Sequence, residues 1–326
     1  MTDGALPPAV APFPVTAPHR VVPAPRPVDG SPRVELDDAW PAALVRRLER
    51  LHADLDGVLV RAVDVAPSTG GLGQALVAAW GLLPGGQGAL PRLGMQVVGL
   101  EDAGPVDVDG VRPVRVGDTV SEDATALLLD LSGLDLLVVG WLLACSDDLV
   151  VLHRTGDGTL RAELLAVAFP SGWPPRLRVG ASLLELHAPI ADGERLQRAA
   201  PALSEALLTK GPLRQHVWGL DPDGRLDRDP SAPDAPTGQV PADPGAWFLR
   251  VERQTSVPLL HLDRALFTIR PHLTPLPDLT PPQRQVLADA VASMGAGARA
   301  YKGITDVAED LLAWLRTPDP PLRPTG

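Results

Sequence analysis

The chain has 326 residues, 45% hydrophobic and 21% charged, the make-up of a globular protein that buries its own core without disulfides or metals. A formal net charge of −11, with basic residues scattered among more numerous acids, excludes a phosphate-backbone footprint, so nucleic acid is not an expected partner. The single cysteine, Cys145, excludes internal disulfides and a cysteine-ligated iron–sulfur cluster within the chain.

Residues 1–33 are Pro-rich and read as a disordered or extended leader, without the basic-then-apolar order of a signal peptide. A single domain is expected over residues 34–317, with 318–326 as a tail. Asp37 and Asp38 are placed to cap a helix starting near Pro41. Its inward positions are Leu44, Val45, Leu48, Leu51 and Leu55, opposite a wet face of Arg46, Arg47, Glu49 and Arg50. Gly70 to Gly73 and Gly85 to Gly88 lack the Lys-Ser/Thr of a phosphate loop and read as turns. Ala126 to Cys145 is the most apolar stretch. Asp130 and Asp135 inside it, each costing about 2.5–3.5 kcal/mol at a bilayer centre, make it core rather than a membrane span. A cytoplasmic location follows as the expectation, with Cys145 as a small buried hydrophobe.

From Met95 to Arg270 the pattern is mostly short strands with turn residues between them. Asp148 to His153 and Leu160 to Phe169 flank the turn Gly156-Asp157-Gly158, and Leu160, Ala162, Leu164 and Ala166 alternate onto one face. A helix is expected over Glu194 to Leu208, broken near Pro201. Asp221 to Gly245, rich in Asp and Pro, reads as an exposed loop; its Asp221-Pro222-Asp223-Gly224 lacks the further ligands of a calcium loop. Trp247 to Thr255 and Arg264 to Arg270 form a second hairpin, and two helices follow Thr280 and Thr305. Strand runs flanked by helices, without β-α alternation, predict an α+β fold with an antiparallel sheet.

In the strand Leu249 to Thr255, alternation puts Arg250, Glu252 and Gln254 on one face and Val251 and Arg253 on the other. Such a row suits an amine or carboxylate ligand; as a solvated ion pair on an edge strand it is worth only about 0–1 kcal/mol. Arg270 is expected to reach the same site from the paired strand. Tyr301 is the only tyrosine and Lys302 one of only two lysines; a helix-capping role serves Lys302 equally well.

Six segments carry a resemblance. Phe169-Pro170-Ser171-Gly172-Trp173 is followed by Gly180 and by Leu186-His187-Ala188-Pro189-Ile190. Then come Leu249 to Thr255, Leu266-Phe267-Thr268-Ile269-Arg270 and Tyr301-Lys302-Gly303. In this order the chain resembles the haem-dependent oxidative N-demethylase family over about Val34 to Leu315. It departs from the family pattern at Arg178, where a lysine is usual, and across Arg214 to Trp218.

The resemblance implies a PAS-like sheet flanked by helices that binds haem b. The implied reaction uses O₂ and reducing equivalents to remove a methyl group from a small secondary amine such as dimethylamine, releasing formaldehyde. Electrons would come from NADPH or from an external flavin or iron–sulfur reductase partner. For the iron ligand it favours His187, with His153, His216, His261 and His272 as alternatives. Glu252 would hold a protonated amine or move a proton, and Arg250 would meet a propionate or the substrate. Arg253, Arg270, Tyr301, Lys302 and Trp173 would surround the cofactor, Trp173 as a wall. Two further readings are a haem-based PAS-type gas or redox sensor without catalysis, and a cofactor-free ligand-binding domain. The sequence shows no output module, which favours the enzyme.

Overall fold

The computed structural model describes residues 9–19, 25–28, 30–31, 33–34, 37–62, 69–83, 114–116, 119–121, 127, 131, 133–186, 193–232, 235 and 243–318. Among these, helices surround one antiparallel sheet, the α+β arrangement that the sequence pattern requires. The strands are β1 (Arg26–Pro27), β2 (Leu59–Arg61), β5 (Asp148–Arg154), β6 (Leu160–Ala166), β7 (Leu213–Asp221), β8 (Phe248–Leu259) and β9 (Arg264–Pro275). They lie in the order β1-β7-β8-β9-β5-β6-β2, every neighbouring pair antiparallel. A separate ribbon pairs β3 (Val114–Val116) with β4 (Thr119–Ser121).

Two hairpins organise the sheet. The β5–β6 turn closes with Gly158 at φ 82°, while Asp157 accepts hydrogen bonds from the Thr155 hydroxyl and the Thr159 amide. The β8–β9 hairpin has 12-residue strands and turns through Asp263, which takes a left-handed φ of 51°.

One face of the sheet is covered by two sets of helices. Leu149, Val151, Leu164, Ala166 and Leu266 meet α1 (Trp40–Ala53), α3 (Thr69–Trp80) and α4 (Gly133–Ala144). Further along the same face, Leu220, Leu249 and Val251 meet α7 (Pro281–Ala292) and α9 (Ala308–Leu315). A capping box between Thr280 and Gln283 starts α7. The opposite face carries Val150, Leu152, Leu165 and Ile269 under Leu207 and Leu208 of α6 (Gly193–Thr209). The one-turn helix α5 (Leu183–Leu186) also lies there, where Leu186 packs on this second core. The short helices α2 (Leu55–Val58) and α8 (Ala296–Tyr301) complete the set.

Several expectations need correction. The β6 alternation does not hold: a register shift opposite Val151 and Leu152 sends Leu160 and Ala162 to one core, Leu164 and Ala166 to the other. Arg47 and Arg50 are buried rather than wet, because each satisfies carbonyls or carboxylates that the apolar helix positions cannot. Val45, expected inward, is 44% exposed. Asp37 and Asp38 do not cap α1; its N-cap is Ala39, and Asp37 pairs with Arg270 instead. Gly70 to Gly73 lie inside α3, and α6 runs through Pro201, which sits on an exposed face where one lost backbone bond is tolerated.

The described first part of the Asp-rich segment after β7 is tied down: Asp229 is buried against Arg50, and Arg228 pairs with Asp221 and Asp223. Described parts of the leader lie against the fold, with Val15 buried beside α7 and β1 paired to β7. Cys145 is fully buried, and burial raises its thiol pKa. Gly85 to Gly88 lie outside the described residues. No helix among the described residues is long and apolar enough to cross a membrane.

Candidate functional site

The sheet face under α5 and α6 is apolar at its β5–β6 end and polar on β7 and β8. Cross-strand pairing sets Gln215 opposite Gln254 and Val217 opposite Glu252, so side chains of like parity form one row. Gln215 Nε2 donates to Gln254 Oε1 at 2.7 Å, and Gln254 Nε2 donates to Glu252 Oε2 at 2.8 Å. From the other side the Ser171 hydroxyl donates to Glu252 Oε1, and Arg250 Nε donates to Ser171 Oγ at 2.6 Å. Glu252 is half-buried and forms no ion pair with a described residue. Its direct donors are all neutral and the nearest guanidinium, Arg250, reaches it only through Ser171, so this partly desolvated carboxylate keeps capacity for a cationic ligand.

Beside this row lies a narrow cavity of about 30 Å³ lined by Pro25, Leu183, Leu203, Leu207, Leu213 and Phe267, with Gln215, Gln254 and Ser256 on the sheet side. Two of its polar atoms, Gln215 Oε1 and Ser256 Oγ, are buried and have no hydrogen-bond partner among the described residues. Trp173 packs on the same core as Phe267 and Leu203 but is not among the residues lining the cavity. The cover is thin, since none of the residues of α5 is fully buried.

His187, the favoured iron ligand, lies outside the described residues, immediately after α5. None of the described histidines lines the cavity. His153 stands at the end of β5 beside the Glu163–Arg264 pair, and burial lowers its pKa. His261 is in the β8–β9 turn, and His216 and His272 belong to the opposite face.

Arg250 does not present a free fork to a ligand. Its Nη2 donates to the carbonyls of Phe169 and Leu226 at 3.0 Å each, and its Nη1 reaches the carbonyl of Arg225 and the Asp221 carboxylate. It fastens two loops to β8 and orients Ser171, which makes it a positioning residue. Asp221 shows the cost of this burial: desolvation raises its pKa, against the opposing pull of Arg250 and Arg228.

Arg253 and Arg270 also depart from the expected grouping. They sit directly opposite each other on the face away from Glu252, where Arg253 pairs with Asp147 at 3.2 Å and Arg270 with Asp37. The sheet thus separates them from the cavity. His272 lies beside them, and burial first, then Arg270, Arg253 and His216, lower its pKa from 6.5 to about 3. The fold therefore keeps His272 neutral while the unfolded chain takes up a proton below pH 6.5. Its contribution is fully present above pH 6.5 and is lost as pH falls toward 3, at no more than about 1.4 kcal/mol per pH unit. Urea midpoints at pH 7, 5 and 4 should fall less steeply for His272→Gln than for the wild type; parallel slopes would remove His272 from the acid response.

Tyr301 and Lys302 end α8, where Lys302 meets β7 at Trp218, beyond its short pairing with β1. Tyr301 is 49% exposed, yet loss of water around its hydroxyl, and then the Glu252 carboxylate, raise its pKa. Lys302 Nζ donates to the Trp218 carbonyl at 2.6 Å and lies 4.5 Å from the centre of the Trp218 ring. Burial lowers its pKa to about 8. Lys302 is thus occupied at the strand edge, whereas Tyr301 is close enough to Glu252 to feel its charge. The sequence reading missed Gln215, whose strand shows only irregular alternation, and Ser171, recognised as part of a motif but given no role.

These features define a helix-covered antiparallel sheet protein with a small, largely apolar cavity whose Gln254 is hydrogen-bonded to a neighbouring carboxylate, Glu252. The family model for the haem-dependent oxidative N-demethylase alpha subunit-like proteins matches residues 132–312, more than half of the chain. The chain belongs to that family, whose name carries dependence on haem and oxidative N-demethylase activity.

Proposed function

We propose that this chain is the haem-binding, substrate-oxidising unit of an N-demethylase acting on a small secondary amine of the dimethylamine type. The observation that carries the reading is Glu252, a partly buried carboxylate with no cationic partner among the described residues, beside an apolar cavity. The order β6-β5-β9-β8-β7, two hairpin strands followed through helices by three more, supports a PAS-like core, and residues 34–317 are read as one domain.

The residues suit haem by their chemistry. The cavity side offers Leu183, Leu203, Leu207 and Phe267 for a flat apolar ring, and His187 is the next residue in sequence after α5. With side chains as they stand the cavity is too small for a porphyrin, so binding requires α5 and its surroundings to move off the sheet. No residue of α5 is fully buried, which favours that displacement. His187 would hold the iron, and Trp173 would form a wall. Tyr301 would border the mouth beside Glu252. Arg253, Arg270 and Lys302 support the far side of the sheet and its edge rather than the cofactor.

Bound haem supplies O₂ activation when reduced by NADPH or by a flavin or iron–sulfur reductase. The chain's own residues do the rest. Glu252 attracts the ammonium form of the amine and can accept its proton, fixing the nitrogen at the polar end of the cavity. The apolar lining then receives the methyl group and keeps bulk water from it. In balance, dimethylamine, O₂, two electrons and two protons give methylamine, formaldehyde and water. Haem-loaded protein supplied with reductant, O₂ and dimethylamine should yield formaldehyde and methylamine in equal amounts. A panel of methylated amines giving no formaldehyde, with reversible O₂ or CO binding intact, would favour the sensor instead.

A further inference from the structure

We propose that Gln215 is the specificity-determining residue of the cavity: a hydrogen-bond acceptor, fixed in orientation by Glu252 through Gln254, that selects a bound molecule carrying an N–H donor. The inference rests on the amine reading above and names a second recognition point for the same ligand.

The argument is one of forced polarity. A carboxylate offers acceptors only, so the group of Gln254 that lies 2.8 Å from Glu252 Oε2 must be its NH₂. That choice turns Gln254 Oε1 the other way, and the atom of Gln215 at 2.7 Å from it must in turn be an NH₂. Gln215 Oε1 is what remains, and it is buried with no hydrogen-bond partner among the described residues, on a side chain that lines the cavity. The same logic runs from the opposite end. Arg250 can only donate, so the Ser171 hydroxyl must turn its own hydrogen to Glu252. The two donors hold the carboxylate still, and the relay of amides cannot reverse while that carboxylate is present.

A buried carbonyl without a protein donor favours a ligand that brings one in place of water. The rest of the lining offers little competition, since Pro25, Leu183, Leu203, Leu207, Leu213 and Phe267 are apolar. Ser256 is no substitute, because a hydroxyl rotates and both donates and accepts. The cavity therefore distinguishes methylated ammonium ions by whether any N–H remains, whereas the charge of Glu252 alone attracts all of them. Dimethylammonium brings donors; tetramethylammonium has the same charge and none.

Calorimetric titration of the haem-loaded protein with these two ions tests the proposal without relying on turnover. Gln215→Leu should weaken dimethylammonium binding about 10-fold, the worth of one charged hydrogen bond, and leave tetramethylammonium within about 2-fold. Equal weakening of both, or dimethylammonium binding that ignores the substitution, overturns the role of Gln215 while leaving the amine reading standing. The relay has its own readout in side-chain amide NMR. Glu252→Gln should move the resonances of both Gln254 and Gln215, and a shift confined to Gln254 contradicts the relay. Failure of the wild-type protein to bind any amine, with both resonances moving as expected, counts against the amine reading and against the ligand assigned to Gln215, but not against the fixed acceptor.

Discussion

Glu252→Gln is expected to lower amine turnover by about 100-fold or more with little change in thermal stability. The substitution keeps the volume and the strand, and an amide can still accept from Ser171 while facing Gln254. What it removes is the charge. In the fold its direct donors are neutral, so its loss relieves some desolvation cost and breaks no direct ion pair among the described residues. In the proposed reaction it would remove both the attraction for an ammonium ion and the acceptor for its proton. Formaldehyde release and thermal unfolding measured on the same preparation separate the two effects. Normal turnover would return Glu252 to the role of a sheet-bound carboxylate.

The second large effect lies in the support of the site. Arg47 is fully buried, and its Nη1 donates to the Leu142 carbonyl at 2.6 Å and also to that of Cys145, closing the C-terminal end of α4. Its Nη2 reaches Asp148 at 2.9 Å, and the guanidinium stands 4.8 Å from the Phe169 ring centre. Asp148 in turn accepts the amides of Ala168 and Phe169, holding the segment that leads to Ser171. Burial raises the Asp148 pKa to about 6 against the opposing effect of Arg47. Arg47→Met would leave this carboxylate and the α4 carbonyls unmatched, and a loss of about 3–5 kcal/mol is expected. Urea unfolding measures it; a loss under about 1 kcal/mol would show that the arginine is replaceable by water.

Much of the fold is legible in the sequence because its strongest signals are local. The β5–β6 and β8–β9 hairpins announce themselves by turn residues between β-rich runs, and α7 by Thr280 before two prolines. What stays hidden is set by partners distant in sequence. Arg47 looks like a solvated helix position until Leu142, Cys145 and Asp148 are brought to it across the fold. Arg253 and Arg270 look like cofactor ligands until Asp147 and Asp37 appear on their side of the sheet. Period-two alternation correctly separated Glu252 from Arg253, yet the bulge in the β5–β6 pairing shows how one extra residue defeats the same rule. Gln215 could not be singled out from sequence, since its meaning arises only from pairing opposite Gln254.

The central proposal is that this chain binds haem through His187 and uses Glu252 to receive the amine. The most direct measurement is the absorption spectrum of the purified, haem-supplied protein, wild type and His187→Ala, titrated with dimethylamine. The account predicts a Soret band at near-stoichiometric occupancy that shifts on adding the amine and is lost or displaced in the variant with the fold intact. A wild-type protein that takes up no haem, or a Soret band that neither the amine nor His187→Ala disturbs, would contradict it.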